Sequence, residues 1–263
     1  TGQKPGMPLL YARAERAGAP FESQRNLMTA TRHLDGGSSV AADGSGQVFI
    51  AWHGNALDGP EGEQARRVWL ARSADDGATF AAEVPISPAE TGACGCCGLR
   101  IAASGSSVDV LYRAATQMVH RDIYALRSSD RGRTFAAHKI DEWEIGACPM
   151  SSMAIVPGRQ TLYAWEHDGA VAFRGDEKRA VAPAPADTND ASARRKHPRL
   201  TVGKDGTVLM AWATGTGWNK GGAVGWQLFA NGVPVGDAQA QDGLPVWSFP
   251  AVAAVDGRFV LLY

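Results

Sequence analysis

The sequence predicts an all-β fold assembled from repeated antiparallel hairpins, and three observations carry that expectation. The turn Ser73-Ala-Asp-Asp-Gly-Ala-Thr-Phe80 returns as Ser128-Ser-Asp-Arg-Gly-Arg-Thr-Phe135, 55 positions further on. An apolar strand, a glycine turn and a second strand ending in an aromatic residue recur five times. The 263 residues include 31 glycines and 14 prolines, a composition suited to many turns rather than long helices.

Taken in order, the chain opens with Leu9-Leu-Tyr-Ala-Arg13 and Gly18-Ala-Pro-Phe21, which read as a hairpin. The five recurrent pairs follow, closing on Trp52, Tyr112, Trp165, Trp212 and Tyr263 at spacings of 60, 53, 47 and 51 residues. In Val48–Trp52 and Val208–Trp212 both alternating faces are apolar, so these are expected to be inner strands covered on both sides. After each of the first four pairs comes another strand pair. Two of these hold the repeated turn, one contains Ala170–Arg174, and one contains Val224–Phe229 with the turn Ala230-Asn-Gly-Val. In the repeated turn, Asp75 and Asp130 are expected to accept backbone N–H groups two or three residues on. Gly77 and Gly132 supply the positive φ of the reversal.

Both copies read Ser-x-Asp-x-Gly-x-Thr-Phe, which resembles the Asp box of sialidase-like β-propellers. The resemblance implies a β-propeller, and the five recurrent pairs imply five blades of about 50 residues each. Residues 1–263 then form a single domain, closed by N-terminal strands that complete the last blade. Six blades, as in sialidases, is the alternative. In that family the turn is structural.

Strand parity sorts the links of such a blade onto two faces. The repeated turns fall on one. The other gathers the blade-to-blade links and the links between second and third strands, and with them Cys94, Cys96, Cys97, Cys148 and Met150, His53, His120 and His197, and Trp143, Trp218 and Trp247. Loops on one rim of a rigid scaffold commonly hold binding groups. The expected ligand-binding residues there are Arg113, Arg121, His120, Lys196, His197, Trp218, Trp247 and His53, suited to a small anionic molecule or a glycan.

A sialidase would further need a trio of arginines around a sugar carboxylate, for which Arg32, Arg100, Arg113, Arg121 and Arg199 are available. Arg100 in Leu-Arg-Ile-Ala resembles the family's Arg-Ile-Pro without its proline. Glycoside hydrolysis in general needs two carboxylates facing the sugar. Glu166, directly after Trp165, and Asp122 are the candidate acid and base, and Asp122 is expected to pair with its neighbour Arg121.

The four cysteines fall in two clusters, in consecutive links. An even number in an extracytoplasmic chain suggests two disulfides, of three possible pairings, including a vicinal Cys96–Cys97 bridge that leaves Cys94 with Cys148. The alternative is a copper(I) or zinc site on Cys94, Cys96, Cys97 and Cys148, with Met150 or a rim histidine contributing. A nucleophilic cysteine served by His120 or His197 is a third reading. No cofactor is expected unless it is that metal.

Net charge is −1 with no basic block, which argues against nucleic acid or an anionic membrane as partner. No apolar run approaches the ~18 residues of a membrane span. Thr1-Gly-Gln-Lys lacks a signal-peptide pattern, so the chain is expected to be a mature or trimmed form, monomeric, and periplasmic or secreted.

Overall fold

The computed structural model describes residues 7–175, 180–183 and 193–263. They form two compact units, Thr1–Met150 and Ser151–Tyr263. Among the described residues every named element is a β-strand except one 3-10 turn, Ala89–Thr91.

The first unit begins with the hairpin of β1 (Leu10–Tyr11) and β2 (Arg25–Asn26). An antiparallel sheet follows, in sequential order: β3 (Thr31–Ala42), β4 (Val48–Ala56), β5 (Arg67–Ser73) and β6 (Val84–Pro85). A second four-stranded sheet, β7 (Arg100–Ser104), β8 (Ser107–Arg113), β9 (Ile123–Ser128) and β10 (Ala136–Asp141), is built the same way. The expectation for β4 holds residue by residue. Phe49 and Ala51 enter the core shared with Val108, Val110, Tyr112 and Leu126, while Ile50 and Trp52 enter another with Leu9, Leu27, Met28 and Trp69. A period of two with apolar residues on both faces buries both faces of this strand.

In the second unit, β11 (Ala154–Val156), β12 (Leu162–His167) and β13 (Ala170–Arg174) form three strands of one sheet. The next sheet runs β14 (Arg195–Val202), β15 (Val208–Thr214), β16 (Gly222–Ala230) and β17 (Val233–Leu244), and β18 (Ala251–Val255) pairs with β19 (Arg258–Leu262). Val208, Met210 and Trp212 pack with Phe173, Leu200 and Phe229 between the first two sheets. Asn231 (φ 49°) and Gly232 (φ 73°) form the left-handed two-residue turn of the β16–β17 hairpin.

The repeated turns join β5 to β6 and β9 to β10. Asp75 accepts the Thr79 N–H at 2.8 Å and the Thr79 hydroxyl at 2.7 Å, and Ser73 Oγ accepts the Gly77 N–H at 2.9 Å. Asp130 binds Thr134 in the same way at 2.9 and 2.6 Å. At Asp75 the backbone donor is four residues on, one further than the sequence suggests, whereas Asp130 accepts both the expected Arg133 N–H three residues on and the Thr134 N–H, each at 2.9 Å. Asp76 and Arg131 are left-handed as well as the glycines after them, so the chain curls back far enough to bring the threonine over the carboxylate. Those bonds, led by the Thr79 N–H, hold the Asp75 carboxyl down at about 2.

A second recurrent device sits where strands enter their sheets. His33 in β3 and His197 in β14 are left-handed (φ 55° and 54°) at bulges that shift the register between Arg32 and Asp35 and between Lys196 and Arg199. Met150 and Trp247 are left-handed (φ 50° and 63°) just before β11 and β18. Bulges of this kind re-aim side chains at sheet ends.

Candidate functional site

Because the strands alternate in direction, the β4–β5, β6–β7 and β8–β9 links and the stretch after β10 emerge at one end of the first unit's sheets. They bind one another through the backbone. Ala93 N–H donates to Glu63 O (3.0 Å), Cys94 N–H to Arg113 O (2.9 Å), Ala115 N–H to Thr91 O (2.9 Å) and Arg121 N–H to Trp143 O (2.6 Å). The polar side chains inside this lattice are mostly committed to it. Arg113 is fully buried, donates to Arg121 O at 2.8 Å and lies 5.1 Å over the Trp143 ring. Arg121 pairs with Glu63 at 2.9 Å, and Arg66 joins Glu63 (3.7 Å) to Asp35 (3.1 Å).

The expected Arg121–Asp122 pair is not formed. Successive residues of an extended chain point to opposite sides. Asp122 therefore turns to Lys139 (3.0 Å) and accepts the Trp143 N–H (3.0 Å). His120 is half-buried, its backbone bridged to Thr116 and Glu144. His53 is fully buried, and that burial, reinforced by Arg66 and opposed by a backbone contact from Asp35, brings its pKa down to about 3. Sequence reasoning missed Glu63 and Arg66, since nothing local marks a loop ion pair whose partners lie on other links.

All four cysteines meet in this lattice, their Sγ atoms within 4.8 Å of one another. Cys96, exposed, and Cys148, half-buried, form a disulfide, and Cys94 and Cys97 remain as buried thiols. The vicinal bridge considered from sequence is absent, because Cys96 points outward and Cys97 inward. Met150 is exposed at the end of the same stretch.

At the loop end of the second unit, Glu166 is buried and accepts the Gly169 N–H at 2.9 Å, closing the Asp168-Gly169 turn between β12 and β13. His197 Nδ1 accepts the Ser152 N–H at 3.1 Å, which leaves the proton of the neutral ring on Nε2, and the ring packs on Phe249 at 4.1 Å. Lys196 is half-buried beside it in β14. Trp218 and Asn219 form the tip of the β15–β16 link, where Gly217 and Lys220 exchange backbone hydrogen bonds at 3.1 Å. Trp247, on the β17–β18 link, meets Trp218 edge to face with ring centres 4.6 Å apart. The two indoles are 70% and 58% exposed. Gly221 allows the links to approach, since a Cβ there would stand 2.4 Å from Leu244 O. A cavity of about 470 Å³ at the opposite end of this unit is lined by Arg159, Gln160, Phe173, Arg174 and Asn231 among others, and by none of the site residues named from sequence.

No protein-family model matches the chain. No curated protein matches it. Solved structures do. The chain resembles the GH93 α-L-arabinofuranosidase of Fusarium graminearum in complex with arabinobiose at 13% identity and a TM-score of 0.59, covering 89% of this chain and 76% of that one. It resembles the Penicillium chrysogenum α-L-arabinanase complexed with arabinobiose at 12% identity and a TM-score of 0.59, covering 100% and 80%. A Dyadobacter fermentans protein of unknown function gives 12% identity and a TM-score of 0.54, covering 89% and 76%. The first two neighbours are β-propeller glycoside hydrolases. The likeness is one of fold.

Proposed function

We propose that this protein recognises a glycan through the paired indoles of Trp218 and Trp247. The observation that carries the reading is their placement. Two large aromatic rings from separate links stand mostly in solvent, forgoing the ~1.5–3 kcal/mol that burying a large apolar side chain returns. Trp247 in addition holds a left-handed backbone, unfavourable by about 1–3 kcal/mol for a bulky residue. Flat exposed indoles suit the apolar face of a sugar ring, and Lys220 at the same tip suits an acidic substituent. Arg113 and Arg121, named from sequence for that role, are spent inside the first unit. Lys196 and His197 lie at the loop end with the indoles, His197 through Phe249.

The fold neighbours crystallised with arabinobiose make arabino-oligosaccharides the first ligands to test, with sialosides second. Calorimetric titration is expected to show binding that weakens about tenfold or more in Trp218→Ala and in Trp247→Ala, a change of about 1.4 kcal/mol. Binding that persists in the double variant would refute the reading.

Hydrolysis requires two carboxylates around the sugar. Glu166 and Asp122 are each buried and held by a backbone N–H, so the reading rests on recognition. Turnover of aryl arabinofuranosides or sialosides that falls in Glu166→Gln would extend it to a glycoside hydrolase. Action in the periplasm or outside the cell belongs to the same proposal, as the compartment in which a disulfide persists.

A further inference from the structure

The cysteine cluster of the first unit carries an inference independent of the glycan reading. From Cys94 Sγ the distances are 3.3 Å to Cys96, 3.4 Å to Cys97 and 3.7 Å to Cys148. An ion bound tetrahedrally by thiolates at about 2.3 Å places its sulfurs about 3.8 Å apart. The three edges that meet at Cys94 thus stand near the length found in such a tetrahedron, and the bonded Cys96–Cys148 edge must open to reach it.

The surrounding backbone fixes them there. The Cys94 N–H is tied to Arg113 O, and the Cys97 N–H reaches Cys94 O at 3.3 Å. A Cβ on Gly95 would lie 2.6 Å from Asp35 Oδ2 and 2.7 Å from Arg66 Nη1, so a larger residue between the first two cysteines has to displace the ends of both side chains. The Asp35–Arg66 pair thereby buttresses the chelating loop from outside. Cys96 is exposed and gives an entering ion or reductant its route.

We propose that this cluster is a redox-gated metal site, closed by the Cys96–Cys148 disulfide and opened by a dithiol reductant to a four-thiolate centre for a zinc-class divalent cation. In the opening step the dithiol gives two electrons and two protons. The Cys96–Cys148 bond breaks to two thiols while the reductant closes to its own disulfide. Binding the cation then forms four metal–sulfur bonds and expels the four thiol protons. Because the four thiol protons leave as the ion binds, affinity falls in acid.

The test compares the full chain oxidised, and reduced with dithiothreitol then desalted without oxygen. Each form is titrated with zinc against a chromophoric competitor, with cadmium as a probe of thiolate-to-metal absorption. The reduced protein is expected to take up one ion per chain and the oxidised protein none. Cys96→Ser and Cys148→Ser, with folding followed by circular dichroism, are expected to lose more than the ~10–100-fold that removal of an outer-shell partner costs. Equal uptake by both forms, no zinc bound by the reduced protein, or uptake of copper(I) alone overturns the proposal.

Discussion

The imidazole of His53 lies wholly inside the loop lattice, where burial keeps it neutral down to about pH 3. An unfolded histidine takes up a proton near 6.5. The unfolded state therefore binds more protons between about 6.5 and 3, and stability falls as pH drops through that window. The difference amounts to roughly 3 kcal/mol at pH 4. Thermal unfolding followed from pH 7 to pH 4 is expected to decline less steeply in His53→Gln; parallel decline would show that His53 does not set the acid sensitivity. Single residues were unevenly legible. Sequence placed His53 and Arg121 at the loop end by parity, but Arg66, whose charge acts on His53, and Glu63, which pairs with Arg121, come from a link that carries no motif, and Asp122 pairs with Lys139 because side chains alternate along an extended chain.

At the scale of elements, β4 was readable because both of its faces are apolar. Trp52→Ala removes an indole buried on one face and is expected to cost about 3–5 kcal/mol, seen as a lower denaturant midpoint. Glu83, just before β6, was not legible. Its carboxylate accepts the N–H groups of Thr29 and Ala30 at 2.7 and 2.6 Å and the hydroxyls of Thr29 and Thr31. Burial raises its pKa, but these bonds outweigh it and the net direction is down. The contribution is thus present above the ordinary carboxylate range and lost as pH falls below it. Glu83→Gln is expected to lower stability by about 1–3 kcal/mol at neutral pH, measured by chemical denaturation. More than fifty residues separate the partners, and local pattern gives no sign of such a contact. The repeated turns were legible in outline, including the Arg133 N–H three residues after Asp130, and what escaped was the second left-handed residue, which brings the N–H and hydroxyl of a threonine four residues on over each carboxylate.

At the scale of the molecule, repeated hairpins and their parity foretold an all-β chain whose chemically distinctive side chains emerge at the loop ends of its sheets. In each unit the links do gather at one end, and β-propeller neighbours share the fold. Parity says where a link emerges and not whether its side chains face solvent. Arg113, Arg121, Asp122 and Glu166 are consumed in holding links together and His53 is buried among them, whereas Trp218 and Trp247 remain presented. Of the eight tryptophans, only those two are exposed. A fluorescence titration with arabino-oligosaccharides and sialosides therefore reads the proposed surface directly. The account predicts a saturable blue shift with protection from a soluble quencher, both abolished in the Trp218→Ala, Trp247→Ala double variant; unchanged emission at glycan concentrations where calorimetry detects binding would contradict it.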